Sequence, residues 1–484
     1  MRKTKIVCTI GPASQSAEML RKMMEAGMNV ARLNVAHGNF EEHGARIVSI
    51  RQAALETKKT VAIMLDVKGP EVRIGAVQDG TVLQQGERIS LTTETVEGNA
   101  ERVTVTYKEL TQDAVPGLII LIDDGLIRLQ VESVKGTEIT CIVINGGLLK
   151  SRKGVNIPEL KINLPGVTER DVQFITFGVE HGVDIIAASF VRKGADILEI
   201  RELLQKLGAP HVKIIAKIED REGVDRLDEI LEVSDGIMVA RGDMGVNLRT
   251  EEVPMVQKDI IRKCNIAGKP VITATHMLES MQSNPRPTRA EAGDVANAIC
   301  DGSDAVMLSG ESAAGKYPLE SVDIMARIAE YTEESRKQLI PELPFAGGME
   351  NVTEIICRGA VRTARQIGAA AIIAPTMSGF SARMAAKYRP DCPILALTPS
   401  EEAVAGLCMV QGVIALKSEV FLDTDEMIAQ SIKQAVSVGY LKPGDLVVIT
   451  AGVPVGRAGA TNLIKVERVP QATEFDFIDA ALQG

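Results

Sequence analysis

Short apolar runs alternate with amphipathic stretches along most of this chain. Short apolar runs bounded by polar residues are typical of buried parallel strands, and the spacing of apolar residues between them is helical. Eight runs follow this pattern: residues 6–10, 30–34, 61–66, 184–190, 212–217, 236–240, 271–275 and 305–309. Strands and helices alternating about eight times predict a TIM (β/α)8 barrel.

Two regions depart from this rhythm. Residues 70–165 show short alternating strands with glycine turns, which predicts an all-β domain inserted after the third barrel strand. Residues 344–469 alternate between helices and strands again and predict a C-terminal α/β domain. The barrel would then comprise residues 1–69 and 166–343, with residues 470–484 as a tail.

Composition narrows the classes of function. The formal charge of −10 argues against a general nucleic-acid binder, whose phosphate contacts need a basic face. An apolar run of membrane-spanning length is absent from the sequence, so we expect no membrane span. The seven cysteines are scattered without a CxxC pair, which predicts buried free thiols. We therefore expect a cytoplasmic protein.

Two predicted strand ends carry a possible metal centre. Glu219 and Asp243 follow neighbouring strands, and two carboxylates completed by substrate oxygens and water suit Mg²⁺. Lys217 beside them could neutralise a transferring phosphoryl group or an enolate. Gly242 and Gly245 indicate a tight turn that opens a helix, whose N–H groups could bind a carboxylate or phosphate. The alternative is an ordinary surface ion pair.

Other strand ends offer groups for phosphate and proton transfer. Arg32 has a guanidinium suited to phosphate, and Arg73 could clamp a nucleotide when the inserted domain closes as a lid. The hydroxyls of Thr275 and Ser309 could contact phosphate or relay a proton through water. The alternative for Thr275 and Ser309 is that each hydroxyl only forms local hydrogen bonds at its strand end. The alternative for His37, which follows the second strand, is an ordinary core or loop histidine.

Several long motifs resemble the pyruvate kinase family. The resemblance runs from about residue 1 to 467, and its motifs are residues 5–12, 66–73, 217–220, 238–243, 273–281, 284–291 and 307–312. It implies transfer of a phosphoryl group from phosphoenolpyruvate to ADP, giving pyruvate and ATP, as the last step of glycolysis. It also implies a cytoplasmic homotetramer with Mg²⁺ or Mn²⁺ as cofactor.

The resemblance also implies a role for each matching residue. By this resemblance, Lys217 would stabilise the transition state, Arg32 would hold the phosphate of phosphoenolpyruvate, and Glu219 and Asp243 would bind Mg²⁺. The substrate carboxylate region would be bound by Gly242, Asp243 and Thr275, and the enolate would receive its proton with the help of Thr275 and Ser309. The ATP phosphates would be contacted by Arg73 and Lys153, with Asn34 and His37 nearby.

The sequence departs from the family pattern at the K⁺ site that the resemblance implies. That site would use Asn34, Asp66 and two neighbours, but Ala36 stands where the family usually has Ser, and Val67 where it has Thr. Two hydroxyls are lost, which puts K⁺ as a cofactor in question and predicts weakened K⁺ activation. His276 replaces the usual Gln.

The C-terminal domain resembles the family's effector domain. Its candidate phosphate loop contains Thr376, Ser378, Gly379 and Ser381, covered by residues 452–461. Met377 stands where relatives activated by fructose bisphosphate often have Lys, which favours a sugar monophosphate or AMP as the effector.

Two other functions are compatible with parts of the sequence. One is a lyase or aldolase of the related phosphoenolpyruvate/pyruvate barrels, but the inserted domain and Arg73 favour use of a nucleotide. The other is a catalytically weak paralogue that binds metabolites, for which Ala36 and Val67 are the only support. The intact Lys217 and Glu219 weigh against it.

Overall fold

The structure, a computed structural model, describes residues 1–158, 160, 162, 164–335, 351–455 and 461–471. The chain begins with β1 (Lys5–Thr9), α1 (Ala17–Ala26), β2 (Val30–Asn34), α2 (Phe40–Thr57) and β3 (Ala62–Asp66). The side chains of Ser16 and Asn39 cap the first turns of α1 and α2 by accepting backbone N–H bonds. Local sequence therefore sets where both helices begin.

The chain then leaves the barrel for an inserted β-domain. Its elements are β4 (Val82–Leu83), β5 (Arg88–Thr92), β6 (Arg102–Thr104), α3 (Leu110–Asp113), β7 (Ile119–Ile122), β8 (Ile127–Lys135), β9 (Glu138–Asn145), β10 (Gly147–Leu148) and β11 (Val155–Asn156). A six-stranded sheet has the order β11-β7-β8-β9-β5-β6, and β10 pairs with β4. This domain has its own apolar core, which includes Ile120 and Leu129.

The chain returns to the barrel through α4. The elements are α4 (Glu169–Glu180), β12 (Ile185–Ala188), α5 (Gly194–Lys206), β13 (Lys213–Ile218), α6 (Arg221–Asp225), α7 (Leu227–Val233), β14 (Gly236–Ala240), α8 (Arg241–Asn247), α9 (Val253–Ala267), β15 (Val271–Ala274), a 3-10 helix (Glu279–Gln282), α10 (Arg289–Asp301), β16 (Ala305–Leu308), α11 (Gly310–Ala313) and α12 (Pro318–Ser335). Reciprocal capping boxes start α4 at Thr168 and α10 at Thr288.

Eight parallel strands close into the predicted barrel, in the order β1-β16-β15-β14-β13-β12-β3-β2. Closure is made by β1, which pairs with both β2 and β16. Because the strands are parallel, all their carboxyl ends lie on one face of the barrel. The barrel prediction is confirmed, and each predicted strand overlaps an observed one.

A third unit follows the barrel. It contains α13 (Val352–Ile367), β17 (Ala371–Pro375), α14 (Phe380–Ala386), β18 (Ile394–Thr398), α15 (Glu401–Leu407), β19 (Val413–Lys417), α16 (Thr424–Ser437), β20 (Leu446–Gly452) and β21 (Thr461–Arg468). Its sheet has the order β19-β18-β17-β20-β21, with only β21 antiparallel to its neighbour. The α/β prediction is confirmed.

The C-terminal domain seals the amino end of the barrel. Met409 and Cys408, which follow α15, pack with barrel-interior residues such as Val7 and Ile215. Cys408 lies against the carbonyl of Thr60, just before β3, which locates this contact at the end of the barrel opposite the strand carboxyl ends.

A buried arginine joins the same two domains. Arg389 donates to both carboxylate oxygens of Asp304, at 2.8 and 3.2 Å, and also to Asn265, Gln411 and the carbonyl of Gly302. The side chains of Arg389 and Asp304 are 10% and 6% exposed, so neither charge is solvated and each depends on the other.

Some expectations need correction. Local pattern did not predict α3, α15 or α16, although the side chain of Asp423 caps α16 in the usual way. The cysteines are free, but Cys300 is exposed and Cys392 is half-buried rather than buried, because neither faces a core completely. Parts of three predicted segments lie outside the described residues: the start of the C-terminal domain (344–350), the loop predicted to cover the effector site (456–460) and the tail (472–484).

We expect Asp304→Asn to destabilise the protein by about 3–5 kcal/mol, because it leaves Arg389 buried without a counter-charge. Both oxygens of Asp304 accept N–H donors, so the amide nitrogen of Asn would face a donor. The exposed pair Asp323–Arg327 provides the control, and Asp323→Asn should cost less than about 1 kcal/mol. Urea denaturation followed by circular dichroism measures both, and equal losses would contradict the prediction.

Candidate active site

A buried row of alternating charges lies across the carboxyl ends of neighbouring strands. Arg32 on β2 bonds to Asp66 on β3 at 2.6 Å (Nε to Oδ2). Lys217 on β13 contacts Asp66 Oδ1 at 3.1 Å and Glu219 Oε1 at 3.0 Å. These four residues are between 1% and 8% exposed. The barrel thus brings together two cations and two anions that the sequence analysis had singled out.

Within this row, Asp66 and Lys217 favour each other's ionised forms. Burial favours neutral Asp66, but Arg32 and Lys217 outweigh it and keep the pKa of Asp66 below its ordinary value. Burial likewise opposes the charge of Lys217, yet Asp66 and Glu219 raise the pKa of its ammonium. The site therefore favours the charged form of Lys217.

Of the two carboxylates in the row, Glu219 has its charge compensated less well than Asp66. Burial raises the pKa of Glu219 to about 8, against the charge of Lys217 and with a contribution from Asp243. Lys217 cannot fully compensate Glu219, since its charge is shared with Asp66. Burial also raises the pKa of Asp243.

These two carboxylates fit a divalent cation. They lie close together at the ends of β13 and β14, and a bound cation would offset the burial that raises the pKa of both carboxylates and the charge of Asp243 that further raises the pKa of Glu219. No group of three or more His, Cys, Asp or Glu residues suited to a metal occurs in the described residues. Two protein carboxylates with remaining positions for substrate and water suit Mg²⁺.

Ser189 is a site residue to which the sequence analysis gave no role. It follows β12, the strand between β3 and β13, and accepts a hydrogen bond from Lys217 Nζ at 2.6 Å. Its hydroxyl donates to the carbonyl of Val67 at 2.7 Å and lies 3.3 Å from Asp66 Oδ1. Lys217 Nζ thus donates to Asp66 and Ser189 and forms an ion pair with Glu219. The polar ends of adjacent predicted strands were the signal for Ser189.

Thr9 supports the other end of the row. Its hydroxyl accepts a hydrogen bond from Arg32 Nη1 at 2.8 Å and donates to the carbonyl of Leu308 at 2.9 Å. Arg32 Nη2 has no hydrogen bond within the described residues, so it can serve a substrate oxygen. Thr9 carried no distinctive signal in the sequence.

Thr275 and Gly242 are brought together as predicted. The amide of Gly242 donates to Thr275 Oγ1 at 2.7 Å, and Thr275 Oγ1 donates to the carbonyl of Ala274. Helix α8 begins at Arg241, so Gly242 and Gly245 lie within the helix, not in a turn before it. Thr275 and His276 have φ values of 66° and 54°, in the left-handed region that non-glycine residues rarely adopt.

Ser309 has a hydroxyl available for another partner. Its Oγ is buried and has no hydrogen bond within the described part of the chain. Its amide donates to Glu311 Oε2 at 2.8 Å, and Glu311 Oε1 accepts from the amide of Leu278 at 3.1 Å. Glu311 thereby ties the loop after β16 to the loop after β15.

A cleft of about 460 Å³ separates the inserted β-domain from the barrel. Arg73, Lys153 and Asp243 are among the residues that line it. Arg73 pairs with Glu71 at 2.5 Å, and Lys153 with Asp123 at 2.7 Å. Both cations thus come from the β-domain and share the cleft with Asp243 of the barrel.

Asn34 and His37 lie in the loop after β2. Asn34 is half-buried and its Oδ1 accepts the amide of Ala36 at 3.0 Å, whereas His37 is exposed. Val67 is buried and its carbonyl accepts the hydroxyl of Ser189. The implied K⁺ ligands are thus already bonded to protein donors.

The candidate effector loop lies between β17 and α14. Gly379 adopts a φ of 78°, and its amide donates to Thr376 Oγ1 at 3.1 Å. Ser378 is exposed, but Ser381 is buried and its hydroxyl is bonded to that of Thr461 at 2.6 Å. The loop is compact, and Thr376 and Ser381 already have protein partners.

This fold and site define a class: a (β/α)8-barrel enzyme with a buried cation beside a carboxylate pair, suited to phosphoryl transfer. The chain matches two family models, "Pyruvate kinase, barrel domain" over residues 1–322 and "Pyruvate kinase, alpha/beta domain" over residues 354–467.

Curated relatives agree with these matches. The chain is 54% identical over 469 residues to the pyruvate kinase of Geobacillus stearothermophilus and 52% identical over 471 residues to that of Bacillus licheniformis. Each alignment covers 96% of this chain and 80% of the relative. The chain belongs to the pyruvate kinase family. It is a glycolytic phosphotransferase that acts between phosphoenolpyruvate and ADP.

We expect Ser189→Ala to lower kcat about 10- to 150-fold, the equivalent of about 1.5–3 kcal/mol for a hydrogen bond to a charged group. The reason is that Lys217 loses the neutral acceptor that aims its ammonium. Ser234→Ala is the matched control, since Ser234 is also buried but precedes β14 at the opposite end of the barrel. Steady-state kinetics measure both, and equal kcat values for the two variants would refute the role of Ser189.

Proposed function

We propose that the carboxyl-end residues of the barrel divide the reaction among them as follows. Lys217 stabilises the phosphoryl group in transfer, Arg32 holds the phosphate of phosphoenolpyruvate, and Glu219 with Asp243 holds Mg²⁺. The buried row from Arg32 to Glu219 is the observation that carries this proposal. A buried ammonium whose pKa is raised by Asp66 and Glu219 suits charge that develops on equatorial phosphoryl oxygens.

The engaged donors of Lys217 indicate how the site responds to substrate. Asp66 and Ser189 accept hydrogen bonds from Lys217 and Glu219 pairs with it, so a phosphoryl oxygen that approaches Lys217 replaces one of these contacts. Arg32 keeps its position through Asp66 and Thr9 while it offers Nη2 to the same phosphate. Bound Mg²⁺ would supply further neutralisation of phosphoryl charge. The row therefore keeps its geometry while one contact changes.

The proposal assigns the nucleotide to the cleft. Arg73 and Lys153 would contact its phosphates, with Asn34 and His37 nearby on the barrel side. Residues 70–165 would act as a lid, and Arg192 supports the lid boundary by donating to the carbonyl of Leu164 at 2.7 Å. A closed lid excludes water, which would otherwise compete with ADP for the phosphoryl group.

Thr275 and Ser309 are proposed to deliver a proton to the enolate through water. The free hydroxyl of Ser309 supports this assignment, because a buried hydroxyl without a protein partner can hold a water molecule. Thr275, Gly242 and Asp243 would bind the substrate carboxylate region. The hydrogen bond from the amide of Gly242 to Thr275 Oγ1 supports this carboxylate-binding role, because it holds the two residues together.

We propose weak K⁺ binding. Ala36 has no hydroxyl to contribute, and the carbonyl of Val67 is bonded to Ser189. Asp66 retains its charge but is shared between Arg32 and Lys217. A monovalent cation would thus meet few free oxygen ligands.

The C-terminal domain is proposed to bind a sugar monophosphate or AMP at the loop of Thr376, Ser378, Gly379 and Ser381. The exposed Ser378 and the tight turn at Gly379 support a phosphate contact there. A homotetramer in the cytoplasm completes the proposal. Among the described residues, no helix has the length and apolarity required to cross a membrane.

Lys217→Met should reduce kcat by far more than tenfold while the fold and Mn²⁺ binding stay near those of the wild type, because it removes the cation and spares the carboxylates. Lys213→Met is the control: Lys213 begins the same strand at its opposite end. A coupled assay of pyruvate formation and direct Mn²⁺ titration provide the readouts. If the kcat of Lys217→Met is within about tenfold of the wild-type value, or roughly 1.4 kcal/mol, the role assigned to Lys217 is wrong.

K⁺ should activate the enzyme only weakly, and the double variant Ala36→Ser with Val67→Thr should increase that activation by restoring two hydroxyls. Pyruvate formation measured against K⁺ at constant ionic strength, with a tetramethylammonium salt as replacement, tests this. Strong, saturable activation of the wild type at low K⁺ would show that the missing hydroxyls are not needed.

A further inference from the structure

Asn247 connects three parts of the active-site region through one amide group. It is the last residue of α8 and is 9% exposed. Its Nδ2 donates to the carbonyl of Glu219 at 3.0 Å and to that of Asp243 at 3.1 Å, while its Oδ1 accepts from Asn156 Nδ2 at 3.0 Å. One side chain therefore touches the backbone of both carboxylate residues and a residue of the β-domain.

The orientation of this amide is determined by its partners. Two carbonyl oxygens on one side require the NH2 group there, since a flipped amide would set three oxygens against one another. Oδ1 consequently faces Asn156. Bonds arranged head to tail in this way polarise one another, so the contact with Asn156 strengthens both donations of Asn247.

The β-domain rests on the same end of α8. Asn156 lies on β11, which pairs with β7 next to the turn at residues 123–125. A Cβ added to Gly125 in this turn would lie 3.9 Å from Val246 Cγ1. One edge of the lid sheet thus bonds to α8 at Asn247, and the adjacent turn lies near Val246.

We propose that Asn247 is a positioning residue that couples the seating of the lid on α8 to the backbone positions of Glu219 and Asp243. The inference rests on the proposed role of these two carboxylates as Mg²⁺ ligands. When the lid edge is seated, Asn156 fixes the Asn247 amide, and the amide in turn fixes both ligand-bearing segments. Coupling is reciprocal, so a metal at the carboxylates favours the seated lid by the same factor.

A role confined to helix capping does not account for these contacts. A local cap would bond only to Asp243, four residues earlier on α8. The second hydrogen of the amide reaches Glu219, 28 residues away and beyond the end of β13, and the oxygen reaches the other domain. These longer contacts link separate structural units.

The first test is Mn²⁺ binding to the substrate-free enzyme, followed by electron paramagnetic resonance. Asn247→Ala should bind Mn²⁺ about three- to tenfold more weakly, since two carbonyls lose their donor. Asn247→Leu, which keeps the side-chain volume, should show the same loss and guards against a folding defect. Glu251→Ala, an exposed residue four positions later, is the control and should bind Mn²⁺ like the wild type.

The second test concerns the lid and uses hydrogen–deuterium exchange with and without Mn²⁺. In the wild type, Mn²⁺ should slow exchange at residues 121–125 and 155–156. In Asn247→Ala that effect should disappear. Asn156→Ala should weaken Mn²⁺ binding in the wild-type background and add nothing in the Asn247→Ala background.

The outcomes separate this inference from the proposal on which it rests. Loss of Mn²⁺ binding in Glu219→Gln supports the metal site, and retention would overturn that site whatever Asn247 does. With the metal site supported, wild-type Mn²⁺ affinity in both Asn247 variants, or additive effects of the Asn156 and Asn247 changes, would overturn the coupling.

Discussion

The site depends on a row of opposite charges that is removed from water at the carboxyl end of the barrel. Arg32, Asp66, Lys217 and Glu219 are all nearly buried, and each cation touches at least one anion. Burial alone would drive such groups to their neutral forms. Because the charges alternate, Lys217 keeps its proton and Asp66 stays ionised, so the enzyme holds a ready-made electrostatic environment for phosphoryl charge.

The closed barrel places the charged residues of this row next to one another. Asp66 ends β3, Ser189 follows β12 and Lys217 lies near the end of β13, so three adjacent strands bring these side chains within hydrogen-bond distance. Ser189 fills the position between an anion and a cation with a neutral hydroxyl. Between the two ends, the barrel interior holds apolar side chains such as Val7 and Ile215.

The two ends of the barrel serve different purposes. At the carboxyl end lie the charged row, the cleft and the β-domain that contacts α8. At the amino end, Met409 closes the interior and Arg389 pairs with Asp304. The short strand β16 separates Asp304 from Ser309, so the contact with the C-terminal domain and a candidate proton-transfer residue lie at opposite ends of one strand.

The sequence by itself determined the alternation of strands and helices, the strand-end residues Arg32, Lys217, Glu219 and Asp243, and the family motifs. These follow from local patterns and from the rule that parallel strands end on one face of a barrel. Tertiary structure alone decided the partners. Lys217 and Asp66 are 151 residues apart, and Asn247 bonds to Asn156 from a separate domain. Such contacts depend on how strands and domains are placed side by side, and no local spacing encodes that placement.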